Sequence, residues 1–245
     1  MASTSETGHA KNVANFEDLI SFCTGYGATY NPSKNNIKLP ALNTLFTNAK
    51  NSLQTVKTTK TTFDNVTNTR IISFESLKKL STRIVNALDA TDASKQAVND
   101  AKTINRKLQG QRADTKTPTP TPIPNTPIAV AKKISVSQQS YDNLIDNLTK
   151  LIQVIASEPL YNPNENDLKV TALNTLLTNL KAVNTTVINA TTPYSNARIT
   201  RDTILYAPET GLVAIAQDVK KYVKSIFGAT SPQYKQVTAI QFTTH

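Results

Sequence analysis

Apolar residues recur every seven positions through the first half of the chain. Leu42, Ala49, Val56, Phe63, Leu77 and Ile84 form one ladder, with Arg70 on its remaining rung. A second ladder, four residues on, holds Phe46, Leu53, Phe74 and Leu88 and is interrupted by Lys60, Thr67 and Ser81. Alternating steps of four and three put both ladders on one side of a helix, the pattern of bundles and coiled coils. Neither glycine nor proline occurs between Pro40 and Gly110, and 69 residues without a breaker favour helix over a β fold. Unbroken from about 39 to 88, this helix would be roughly 75 Å long. A break near Ser73–Ser76 would instead make a hairpin of two shorter helices.

Shorter helices flank it. Phe16, Leu19, Ile20 and Cys23 mark one that Gly25 and Gly27 stop, and Ala97, Ala101, Ile104 and Leu108 mark another ended by Gly110. Leu144, Leu148, Leu151, Ile152 and Ile155 predict a helix near 136–157. Leu212, Ile215, Val219, Val223 and Phe227 predict a last one near 209–227, with Pro208 in its first turn and Gly228 as its stop. The tail from 231 is too short to assign.

The pattern also repeats. "YNPSKNNIKLPALNTLFTNAK" at 30–50 returns as "YNPNENDLKVTALNTLLTNLK" at 161–181, identical at 13 of 21 positions and 131 residues on. The seven-residue ladder returns in register as Leu173, Leu180, Val187, Tyr194 and Arg201, with Pro193 predicting a kink and a break expected near 207. Between the copies lies "TKTPTPTPIPNTPIAVAKK", 115–133, whose five prolines exclude helix and favour an extended polyproline strap. The expected fold is therefore all-α: two tandem homologous helical-bundle repeats with long amphipathic helices, 1–112 and 135–245, joined by an extended Thr/Pro-rich linker, 113–134, in an elongated molecule.

Composition sharpens this. The chain has 36 Thr and 24 Asn among 245 residues, only 18% charged residues, and no Trp. Thr and Asn are mediocre helix formers, so the helices must depend on packing rather than propensity. Dense Thr/Asn faces also offer donors and acceptors for ordered contacts between copies. The net charge of +10 permits attraction to polyanions, but the cations are dispersed, their densest runs being pairs such as Lys78-Lys79 and Lys220-Lys221. No basic-then-apolar leader opens the chain and no apolar run approaches 18 residues, so the expected location is cytoplasmic, with export lacking a cleaved signal left open.

Candidate chemistry is sparse. The two histidines, His9 and His245, lie near the termini, where a buried ligand pair or triad is not expected. Cys23 falls on the apolar face of its helix and reads as core. Catalytic, cofactor-binding and metal residues are each read as none. Structural or register candidates are Arg70 and Arg201, equivalent residues on the two ladders. Each is read as a snorkelling stem or a register-setting ion pair, with Glu75 and Asp202 as partners to consider. Tyr30 and Tyr161 open the two "YNP" turns and are expected to fold over them.

The ending "GATSPQYKQVTAIQF", the opening "SETGHAKNVANFEDLI" and the duplicated "LNTL-TN-K" core resemble a family of duplicated helical proteins found in Bacteroidota. The resemblance implies shared ancestry over nearly the whole chain and no activity. The sequence thus points to a non-enzymatic structural or protein-interaction protein that associates with itself or with a protein partner. The alternative is a basic, nucleoid-associated type of polyanion binder. No membrane or small-molecule partner is evident.

Overall fold

A computed structural model describes residues 4–111 and 139–244. The predicted linker lies outside the described residues. Among those residues the regular elements are helical: α1 (Thr4–Gly25), α2 (Leu39–Glu75), α3 (Leu77–Asp89), α4 (Lys95–Gln109), α5 (Tyr141–Ala156), α6 (Val170–Tyr206), α7 (Leu212–Phe227) and α8 (Pro232–Ala239). Short 3₁₀ turns, Asn35–Ile37 and Asn166–Leu168, precede the two long helices.

Local chemistry fixes the ends. Ser94, Ser140 and Ser231 each accept a hydrogen bond from the backbone N–H three residues on, capping α4, α5 and α8. Gly110 and Gly228 terminate α4 and α7 at φ 76° and 88°, a region that Cβ disfavours. The question raised at 70–76 resolves as a single interruption at Ser76, whose backbone stays in the helical region. In α6 the helix passes through Pro193. The turn at 207–211 corrects the expected start of the last helix. Glu209 has φ 64°, Gly211 is the N-cap, and Pro208 lies in the turn rather than in α7.

Two compact units form, one from Met1–Asn65 with Asn189–His245, the other from Val66–Ile188. The core of the first contains Phe16, Leu19, Leu42, Ala49, Leu205, Leu212 and Val219. The core of the second contains Phe74, Leu77, Ile84, Leu108, Leu148, Ile155, Leu173 and Leu180. Burial of roughly 1.5–3 kcal/mol per such side chain is what holds these Thr- and Asn-rich helices. The units do not coincide with 1–112 and 135–245. Helix α2 starts in the first core with Leu42 and ends in the second with Phe74; α6 starts in the second with Leu173 and ends in the first with Leu205. Each unit thus joins the opening elements of one sequence copy to the closing elements of the other.

Candidate functional site

The two "YNP" loops are built alike. Tyr30, 6% exposed, donates its hydroxyl hydrogen to the Ile37 carbonyl at 2.7 Å, and Tyr161, 8% exposed, does the same to Leu168 at 2.9 Å. Each tyrosine closes a loop across seven residues and satisfies a buried carbonyl just before a long helix. Burial drives both phenols upward in pKa, Tyr161 to about 12.

Where each loop docks, the units differ in charge. The buried positions Leu77, Ser81, Ile84, Val85 and Leu88 of α3 match Leu212, Ala216, Val219, Lys220 and Val223 of α7 at a constant spacing of 135. On that register Arg83 and Asp218 are equivalent. In the first unit Lys34 of the loop meets Asp218 of α7 at 2.5 Å; in the second Asp167 of the loop meets Arg83 of α3, with Nη2 at 3.2 Å from Oδ1. Both carboxylates are held below their ordinary range by these cations. Polarity is reversed between the junctions. Docking each loop on its own copy's helix would set Lys34 against Arg83 and the Glu165–Asp167 loop against Asp218. Electrostatics therefore favours the crossed composition, by the modest amount exposed pairs allow.

The same register explains a groove present in the second unit. Tyr222 packs edge-on against Tyr30 with ring centroids 5.3 Å apart. Its counterpart is Ala87, and Tyr161 instead borders an open groove of about 430 Å³ with Arg83, Asn86, Ala87, Asn164 and Glu165 in its wall. A second groove of about 400 Å³, lined by Lys79, Leu80, Ala172 and Leu176, also has Arg83 and Asp167 in its wall.

The ladder arginines differ. Arg70 lies in the second unit, its guanidinium 4.0 Å from the centre of the Tyr141 ring and Nη1 3.0 Å from Asn184 Oδ1. Asn184 in turn donates to Asp142 at 2.8 Å. The Arg70 Nε is buried without a hydrogen-bond partner, as is the Thr67 hydroxyl one turn earlier. Arg201, 2% exposed, directs Nε and Nη2 to Asp202 at 2.9 and 2.8 Å. Of the two carboxylates considered as partners, Asp202 pairs with Arg201, whereas Glu75 stands exposed.

His9, near the start of the chain, is buried in the first unit. It is 3% exposed, with Nδ1 2.6 Å from the Tyr206 hydroxyl. Asn12, 1% exposed, donates to the Thr243 carbonyl at 2.7 Å and accepts from its N–H at 3.0 Å. Buried Lys220 reaches the Ile240 carbonyl, and its desolvation lowers the pKa. The signal for these groups lies in register, since Asn12 is four residues before Phe16 and Lys220 four after Ala216 on the buried stripes, while their polarity alone argues for solvent. Cys23 is fully buried, and burial pushes its thiol up to about 12.

The Thr-rich faces also behave unlike the expectation of free donors. On α2 the hydroxyls of Thr44, Thr47, Thr55, Thr61 and Thr62 donate to carbonyls four residues back, as do Thr175, Thr178 and Thr186 on α6. Their donors are satisfied within the helix, leaving mainly methyl groups and acceptor lone pairs outward. Large apolar exceptions stand among them: in the second unit Ile71, Ile72 and Ile188 are 52, 68 and 57% exposed. Among the described residues no helix is long and apolar enough to cross a membrane, and no cluster of three His, Cys, Asp or Glu is placed to hold a metal ion. Comparison with protein-family models, curated proteins and solved structures finds no match to this chain.

Proposed function

We propose that this is a non-enzymatic, cytoplasmic structural protein that associates with copies of itself, made of two homologous halves joined by the proline-rich strap. The observation that carries the reading is the exposure of Ile71, Ile72 and Ile188 on long helices whose outward residues are otherwise mostly polar, Thr and Asn foremost among them. Such side chains gain from being covered, and a surface of methyls and satisfied hydroxyls can be buried against a like surface at small desolvation cost. The reversed loop charges support the fused-halves part, since they distinguish the two copies as unlike partners. Kinship with the Bacteroidota helical family belongs to the same proposal.

Light scattering after size exclusion tests it. Mass should rise with protein concentration, stay insensitive to salt, and cease to rise in an Ile72→Lys variant. A monomer at every concentration sinks the proposal. A second reading, polyanion binding, draws on the exposed Lys50 and Lys57, one heptad apart on α2. It requires DNA affinity that falls steeply with salt through counterion release, and a flat response removes it.

A further inference from the structure

The segment after α8 is held as a peptide ligand is held. Residues 240–243 carry no regular structure, yet the carbonyls of Ile240 and Gln241 and both backbone groups of Thr243 are bonded by side chains of α1 and α7. Lys220 donates to the Ile240 carbonyl, Asn15 to the Gln241 carbonyl at 2.5 Å, and Asn12 clamps Thr243 through both its N–H and its C=O. Two apolar side chains two residues apart, Ile240 and Phe242, pack against the first core, and the Lys220 ammonium sits 5.2 Å from the centre of the Phe242 ring. Side-chain bonds to backbone groups supply affinity for any extended chain, and alternate apolar anchors supply the selection.

Two features separate this from an ordinary tail contact. Asn12 and Lys220 are 1 and 8% exposed with the segment in place, so removing it would take away the backbone partners of a buried amide and a buried ammonium and admit water to both. Neither belongs to the helix that carries the tail: α8 delivers the segment, while α1 and α7 recognise it.

We propose that the α1–α7 groove is a binding site for an extended Ile-x-Phe-Thr peptide, and that a second copy of this chain supplies that peptide in trans. The occupant follows from fit: the sequence "IQFT" satisfies every clamp in cis, and another copy presents the same four residues. A tethered tail acts at an effective concentration on the order of millimolar, so exchange favours copies already crowded together. The inference therefore rests on the self-association proposed above and adds a contact distinct from the isoleucine face.

The test uses a labelled peptide of residues 238–244 and a chain ending at Ala239, whose groove is open. Anisotropy should show saturable binding, weakened at least about tenfold by Asn12→Ala and lost when the peptide carries Asp for both Ile240 and Phe242. If circular dichroism shows the shortened chain unfolded, the full chain with Phe242→Ala, its tail loosened, serves as the receptor. Full-length Asn12→Ala, a tail donor with a broken clamp, should form a one-to-one complex with the shortened chain that free peptide dissolves. Absence of saturable binding, or binding indifferent to Asn12→Ala, overturns the site. Peptide binding without the two-chain complex overturns the second copy as its source. Running both in the Ile72→Lys background separates failure here from failure of the isoleucine face.

Discussion

Removing one hydroxyl from each "YNP" loop tests how burial sets the value of a hydrogen bond. Tyr30→Phe deletes the donor to Ile37 while keeping the ring against Tyr222. The Ile37 carbonyl left behind is buried, so the substitution should cost about 1–3 kcal/mol, the penalty for stranding a buried acceptor. Tyr161→Phe deletes the equivalent donor to Leu168, but its loop borders the open groove beside Ala87. Water can enter there and replace the lost donor, so the cost should fall to about 1 kcal/mol or less. Urea unfolding followed by far-UV circular dichroism reads both, since the chain lacks Trp but is rich in helix. Adding Ala87→Tyr, which copies Tyr222, should seal the groove and raise the cost of Tyr161→Phe toward that of Tyr30→Phe. Equal costs in the parent background would refute the role given to the groove. Negligible costs at both sites would refute the hydroxyls as loop closures.

Further expectations concern charge and burial. Lys34→Glu should lower stability by about 1 kcal/mol or less, the value of an exposed pair plus mild repulsion from Asp218, and the added Asp218→Lys should restore it; urea midpoints read the cycle. Asn184→Leu, which installs the residue at the equivalent position 53, strands Arg70 Nη1 and should cost about 1–3 kcal/mol, with Arg70→Met in the same chain recovering most of it. Asp167 and Asp218 have folded pKa values below their ordinary 3.8. Their contribution is complete above that value and lost as pH falls through the lower folded values, so Arg83→Ala with Lys34→Ala should flatten the acid limb of a stability–pH series. Cys23, buried with its thiol raised to about 12, should resist alkylation at pH 8 until the chain unfolds, which mass spectrometry after an iodoacetamide pulse would show.

Much of this was written in periodicity. The seven-residue ladders became buried faces, with Leu42, Ala49, Val56, Leu77 and Ile84 all under 4% exposed and Leu173, Leu180 and Val187 beside them in kind. Such a stripe is legible because only a helix of fixed pitch keeps it on one side. Glycine stops at 110 and 228 were equally legible, each needing the positive φ it shows. Pro208 misled because proline suits a helix's first turn and a tight turn alike, and the positive φ at Glu209 decided for the turn.

What no local pattern contained was the partner of each surface. The repeat shows that two halves are alike, but not that the start of one packs with the end of the other, because apolar stripes are non-directional and fit any comparable stripe. Nor does it show that polar residues on a stripe stay buried: His9, Asn12 and Lys220 share the apolar register of their helices, and only the partners the fold brings to them let polar groups sit there. Sequence by itself determined most of the helices, their glycine stops and their buried faces, since these follow from backbone geometry within a few residues, but not α8, the interruption at Ser76 or the start of α7. Only the tertiary structure decided the crossed composition, the reversed loop charges, the groove left by Ala87 and the clamped tail, because each depends on side chains brought together from opposite ends of the chain.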